Sequence, residues 1–242
     1  MQSPPESWAL PQSIRSRLGS TVGRQRAMFE EGHLLLVLHA PAKPDQQERV
    51  GRFFWQQPNG EWKHASENNV TLEGHIDEYY QVLETCEESD QAATTSSDYF
   101  SVLEHLGPIH RSAGNLYGAL QEARKLTKDD REIIDLRDRT YELSRATELL
   151  FTSAKNALDY TVAKQAEKLA TESHQMASAA HRLNLLVALF FPIATLATIF
   201  STSFESGLEH YPAPWPLLIL VGTGLLFGIV LSFFVTATSQ KK

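Results

Sequence analysis

The stretch LNLLVALFFPIATLATIFSTSF, residues 183–204, decides how the chain is read. Residues 183–200 are 18 positions without a charge, close to the roughly 20 that cross a bilayer core about 30 Å thick. The spacing predicts a membrane-spanning helix. Its interior is not uniformly apolar. With Asn184 as the origin and ~100° per residue, Phe191 falls at about −20°, Thr195 at about +20°, Thr198 at about −40° and Thr202 at about 0°. Ala180 and Ala188 fall in the same sector. One narrow face of an apolar helix thus carries an Asn and three Thr around a single Phe. Polar side chains are costly against lipid, so such a face meets either another helix or water. Helix packing and a pore lining are the two readings.

Outward from this span, the chain divides into three parts. The mean hydropathy of −0.27 looks soluble, but it averages a polar first three-quarters with a strongly apolar end. The balance of 22 basic and 29 acidic residues, net −7, argues against nucleic acid as a partner. The single cysteine, Cys86, leaves no intramolecular disulfide and no cysteine-based zinc cluster. The opening MQSPPESWALPQ has no apolar core of a cleaved signal, so the N-terminal body is expected in the cytoplasm.

Residues 1–66 predict a small α+β unit. A helix or helix pair is expected over 13–31, with Ile14, Leu18 and Val22 on one face and Gly32 ending it. Strands are expected at 33–40 and 50–56. The Pro58-Asn59-Gly60 turn then leads into residues 61–64 as a hairpin. Residues 67–182 predict a helical domain: one helix from about 70 to 88, a linker at 90–96, and a second helix over 97–126 that Gly107-Pro108 should kink or interrupt. After a cap at 127–130, no Gly or Pro appears before Pro192. This predicts one helix over 128–200, on the order of 110 Å long. Its Leu136, Leu143, Leu150 and Ala157 recur at sevens, with Ala146, Ala154, Ala163, Ala166 and Ala170 between. That pattern suits close packing in an oligomer, an antiparallel hairpin with residues 97–126, or both.

Residues 183–242 predict a two-helix membrane domain, with a first span at 183–203, an outer loop at 204–216 and a second span at 217–236. The loop holds Glu205, Glu209 and His210 without Lys or Arg, whereas Arg182, Lys241 and Lys242 flank the other side. Basic residues favour the cytoplasmic side, so both termini are expected there. Gly224 and Gly228 form a G-x-x-x-G face for close helix contact, not a nucleotide fingerprint, because no strand precedes them.

These residues resemble the CorA family of divalent-cation channels over about 75–242. HIDEYYQVLE resembles the segment opening the family's helical part, IIDLRDRTYELSRATELLFTSAKNALDY its stalk, and LFFPIATLATIFSTSF its pore helix. Pro192, seven residues, Phe200, a tripeptide and Phe204 follow the family's spacing. The chain departs from the family at Ser201-Thr202-Ser203, which stand where the family has Gly-Met-Asn. The resemblance implies a homopentamer in the plasma (inner) membrane, with the first spans lining an axial pore. The fold expected is therefore mainly α, with a small N-terminal α/β cytoplasmic unit and a long stalk helix continuing into the first of two spans.

The function this implies is passage of Mg²⁺ or a similar divalent cation, as transported ion and not as cofactor. Asn184, Phe191, Thr195, Thr198 and Thr202 would line the pore, Phe191 as a hydrophobic gate that conducts only when wet. Ser201, Thr202, Ser203, Glu205 and Glu209 would form the outer mouth. Hydroxyls of Thr202 and Ser203 would meet a hydrated ion, since Mg²⁺ dehydrates reluctantly. Two other readings stand beside this one: a membrane effector gated by a nucleotide or another small-molecule regulator, and a membrane-anchored scaffold that conducts nothing.

Other chemistry is sparse. His105 and His110 read as helix surface, and His174 and His181, seven apart on the stalk, could sense pH as rings. Glu87, Glu88, Asp129 and Asp130 read as solvated charge or as cation ligands between protomers. No nucleophile–base pair or phosphate loop is visible in the sequence, so no enzyme is expected.

Overall fold

A computed structural model describes residues 3–42, 49–66, 69–201, 212 and 214–239, with the backbone alone at 200, 201 and 234–239. Its contacts divide the chain into two units, Met1–Ala163 and Lys164–Lys242.

The first unit is built on a four-stranded antiparallel sheet in the order β1-β2-β3-β4, comprising β1 (Arg26–Glu30), β2 (His33–His39), β3 (Gly51–Gln56) and β4 (Trp62–Ala65). The helix expected over 13–31 is absent from most of that range. Only α1 (Gln12–Arg15) is helical, and Arg26–Glu30 is a strand. The strand in place of helix has a physical cause. Gly32 does not end a helix; with Glu31 it forms a two-residue hairpin turn, both at positive φ (50° and 81°), the geometry that matches the twist of paired strands.

Strand β2 reads as a continuous apolar run because both of its faces are covered. Leu34, Leu36 and Leu38 face the helices, while Leu35 and Val37 face a second layer formed by Trp8, Leu10, Ile14 and Val22. In that layer Trp8 lies 5.5 Å from Trp55, ring to ring, and Arg15 donates to the Trp8 carbonyl. An N-terminal segment thus does for one face of the sheet what helices do for the other.

Helix α2 (Leu72–Ala92) starts where the Thr71 hydroxyl accepts from the Gly74 amide at 3.1 Å, the usual way to satisfy an orphan donor of a first turn. It runs into the expected linker, which shrinks to Ala93–Thr95. Helix α3 (Ser96–Thr127) opens on a reciprocal Thr95–Asp98 capping box and continues through Gly107 and Pro108. Gly107 sits against the other helix, where an added Cβ would meet Phe151 at 3.7 Å.

Helix α4 (Arg131–Ser201) is one element of 71 residues. Asp130 begins it, one carboxylate oxygen accepting from the Ile133 amide at 3.2 Å and the other from Gln56 at 2.7 Å. Within the first unit α3 and α4 pair antiparallel: Tyr117 meets Tyr141 at 5.4 Å, and His110 stacks on Phe151 at 5.3 Å. Leu136 and Leu143 are buried in the main core with Leu116 and Leu120. The hairpin expected between these helices is therefore formed.

In the second unit, α4 continues and α5 (Trp215–Ser239) follows. The last part of α4 and the start of α5 are each long and apolar enough to cross a membrane.

Candidate functional site

The polar stripe is intact on helix α4. Asn184, Phe191, Thr195 and Thr198 are all exposed in the chain, Phe191 by 66%. What packs against α4 lies on another face. A Cβ placed on Gly224 would come within 2.8 Å of Ile193 and 3.1 Å of its Cα, and one on Gly228 within 2.8 Å of the Leu189 carbonyl oxygen. The two glycines therefore seat α5 backbone to backbone on Leu189 and Ile193. On the helical wheel those two residues lie at about 140° and 180° from Asn184. Helix α5 thus covers the back of α4 and leaves the stripe in front.

The threonines have a defined orientation. The Thr195 hydroxyl donates to the Phe191 carbonyl and the Thr198 hydroxyl to the Ala194 carbonyl, each at 2.8 Å. With the hydroxyl hydrogens committed to their own helix, what remains to offer a neighbour is oxygen lone pairs. The stripe thus presents acceptor oxygens at Thr195 and Thr198 and, about 21 Å from Thr198 at 1.5 Å per residue, the Asn184 amide, which both accepts and donates, with one large apolar ring, Phe191, part-way along. Acceptors suit a cation or the hydrogens of its water shell.

The same sector of α4 continues before Ala180. Ala166, Ala170, Ser173 and Ala177 lie within about 40° of Asn184, and all are exposed. Their signal was the heptad spacing of small residues. From 162 to 180 every residue of α4 is exposed, including Leu169 at 67% and Met176 at 71%.

Thr202, Ser203, Glu205, Glu209 and His210 lie outside the described residues, and Ser201 is placed by its backbone alone. The outer mouth therefore stays an expectation. Of the surface acids, Glu87, Glu88 and Asp129 are exposed, whereas one oxygen of Asp130 caps α4 and the other ties its start to Gln56 of β3. Among the described residues no group of three or more His, Cys, Asp or Glu could hold a metal ion. His174 is exposed and His181 half-buried on α4, and His105 is exposed on α3.

A second polar cluster, not announced by the sequence, lies between the sheet and helices α2 and α3. Arg52, 7% exposed, reaches from β3 to Glu78 at 2.7 Å and to Nδ1 of His75 at 3.0 Å. A guanidinium only donates, so His75 accepts at Nδ1 and carries its proton on Nε2. Burial, then the charge of Arg52, pushes the His75 pKa down to about 3. Beside it the Tyr79 hydroxyl donates to the His39 carbonyl at 3.0 Å, leaving the Ser112 hydroxyl to donate to Tyr79 at 2.6 Å. Burial raises the Tyr79 pKa to about 12, so the phenol stays a donor. The one legible signal is Arg52 itself, a charge in an aromatic-rich strand that burial obliges to find a counter-ion.

No family profile matches the chain, and no curated protein does. Several solved structures are similar to it, among them the two that follow. The full-length CmaX protein aligns over 96% of this chain and 83% of its own with a TM-score of 0.54 at 11% identity. The CorA magnesium transporter of Methanocaldococcus jannaschii aligns over 87% of this chain and 78% of its own with a TM-score of 0.48 at 14% identity. At such identities the likeness to CmaX is one of fold.

Proposed function

We propose that copies of this chain assemble into a membrane channel for divalent cations, Mg²⁺ or an ion of similar hydration. The observation that carries this reading is the stripe of Asn184, Thr195 and Thr198, exposed on the face of α4 that α5 leaves open. An acceptor column in a membrane helix needs either water or partners, and a ring of such helices supplies both. The exposed apolar residues between 162 and 180 support assembly, because Leu169 and Met176 gain nothing from standing in water. The resemblance of residues 75–242 to CorA-type pore and stalk segments supports a homopentamer with both termini in the cytoplasm.

In this mechanism Thr198 and Thr195 accept hydrogen bonds from the water shell of the passing ion, and Asn184 receives it at the inner end. Five Phe191 side chains close the path by excluding water until the ring widens. By their place in the sequence Thr202 and Ser203 would meet the ion next, and Glu205 and Glu209 would concentrate cations at the mouth. The gate sits next to Pro192, whose missing N–H removes one backbone bond of α4 and softens the helix there.

The test is flux into liposomes carrying the purified full chain, with Mg²⁺, Co²⁺, Ni²⁺, Zn²⁺ and Na⁺ at matched gradients. Divalent flux that rises in Phe191→Ala is expected. No flux from either protein, together with a monomeric or dimeric state in detergent, would overturn the channel and leave a scaffold.

A further inference from the structure

His75 is fully buried on α2, and the groups around it accept only its neutral form. Arg52 of β3 donates to its Nδ1, so the lone pair that a proton would take is already engaged. Phe54 and Tyr79 hold the ring at 5.4 Å each. Its Nε2, which carries the ring's proton, has no hydrogen-bond acceptor. The titratable groups that face it are Arg52 from β3, His39 from β2, and Glu78 and Tyr79 from its own helix. Helix α3 adds the uncharged Ser112 hydroxyl. The one anion in this set, Glu78, is already paired with Arg52. A proton on His75 would therefore set two cations donor to donor at 3.0 Å in a site closed to water, where like charges are least screened.

We infer that Arg52, His75 and Glu78 form an acid-sensitive lock between the sheet and helix α2, released when His75 takes up a proton. The lock lies in the first unit and does not depend on conduction by the second. With the ring free in water its pKa returns to the ordinary 6.5, against about 3 when locked. A depressed pKa of this kind contributes stability that is fully present above 6.5. The contribution is lost as pH falls through the window between 6.5 and about 3, because the opened state binds the proton that the closed state refuses. Each unit of pH below 6.5 multiplies the opened population by roughly ten. Opening exposes the apolar face of α2, with Leu72, Ile76 and Leu83, which would turn a drop in pH into a new apolar surface.

Amide hydrogen exchange on the full chain in nanodiscs tests this, read over α2 and corrected for the pH dependence of intrinsic exchange. Between pH 7.5 and 5.5 the opening constant of wild-type α2 is expected to rise about tenfold. In His75→Gln, which keeps an acceptor for Arg52 and cannot titrate, that rise should vanish, while His39→Gln keeps it. A rise that persists in His75→Gln, or that disappears in His39→Gln, overturns the lock. Should His75→Gln not fold, imidazole NMR of the wild type decides: a His75 signal silent down to pH 5 supports the lock, and one titrating between pH 6 and 7 refutes it.

Discussion

Between Ile133 and Ala154, helix α4 buries one face against its own chain: Ile133, Leu136, Leu143 and Ala154 are each no more than 2% exposed. Between 162 and 180 the same helix exposes every residue. The two stretches differ in composition, four Leu and two Ile with two Ala in 133–154 against one Leu and six Ala in 162–180, and they differ in context. The first half has α3 and the sheet to complete it, and its stability is a property of one chain. The second half leaves Leu169 and Met176 uncovered by its own chain, so in the proposed assembly its stability would depend on neighbouring copies.

The largest expected effect breaks that comparison at its buried end. Leu143→Ala removes a fully buried side chain of the main core and should cost about 2–5 kcal/mol, seen as an earlier denaturant midpoint for the first unit. Met176→Ala, on the exposed half, should leave the same midpoint within about 0.5 kcal/mol while weakening the oligomer in cross-linking or mass measurements. Equal effects of the two substitutions on the midpoint would erase the distinction.

The same contrast explains what could be read from the residues alone. The long helix, the hairpin with α3 and the two long apolar helical stretches were legible because apolar periodicity survives over many turns. Strand β1 was not. Arg26–Glu30 contains Ala27, Met28 and Phe29, which suit a helix as well as a strand. Only the Glu31–Gly32 turn and pairing with β2 decide between them, and pairing is non-local. The Arg52–His75 contact spans 23 positions and two element types, beyond any spacing rule. The stripe on α4 was legible for the opposite reason, since all of its members lie on one helix.

Next in size is the contact between the spans. Gly228→Leu forces a side chain into the space of the Leu189 backbone, and a Cβ alone would stand 2.8 Å from its carbonyl oxygen. Backbone cannot move aside as a side chain can, so a cost of about 1–3 kcal/mol is expected. Disulfide cross-linking between cysteines placed on α4 and α5 should slow accordingly, with the first unit's midpoint unchanged. Gly222→Ala is the control, because a Cβ there meets nothing within 4 Å.

Of comparable size is Glu78→Gln, which leaves Arg52 charged and without its anion. Glu78 is partly exposed, its side chain by 34%, so water recovers some of the loss and about 1–3 kcal/mol is expected instead of the full penalty of a broken buried pair. Arg52→Met with Glu78→Gln should be milder than Glu78→Gln alone, because removing both partners leaves no orphan charge. A double variant that is worse than both single ones would mean that the pair stabilises the fold outright.

The smallest expected change is the one that bears most directly on the stripe. Thr195→Val with Thr198→Val keeps the shape and β-branching of both side chains but removes the two oxygens. Their hydroxyl hydrogens are spent on the Phe191 and Ala194 carbonyls, and those carbonyls keep their backbone donors, so the helix should lose little. A passing hydrated ion would lose two acceptors, each worth roughly 0.5–1.5 kcal/mol, and divalent flux should fall by about tenfold. If helix packing were the stripe's role, the isosteric change would leave flux untouched and alter only the stability of the assembly. Flux and assembly measured on the same preparation therefore separate a lining from a contact face, and Phe191→Ala gives the opposite sign in flux if the column conducts.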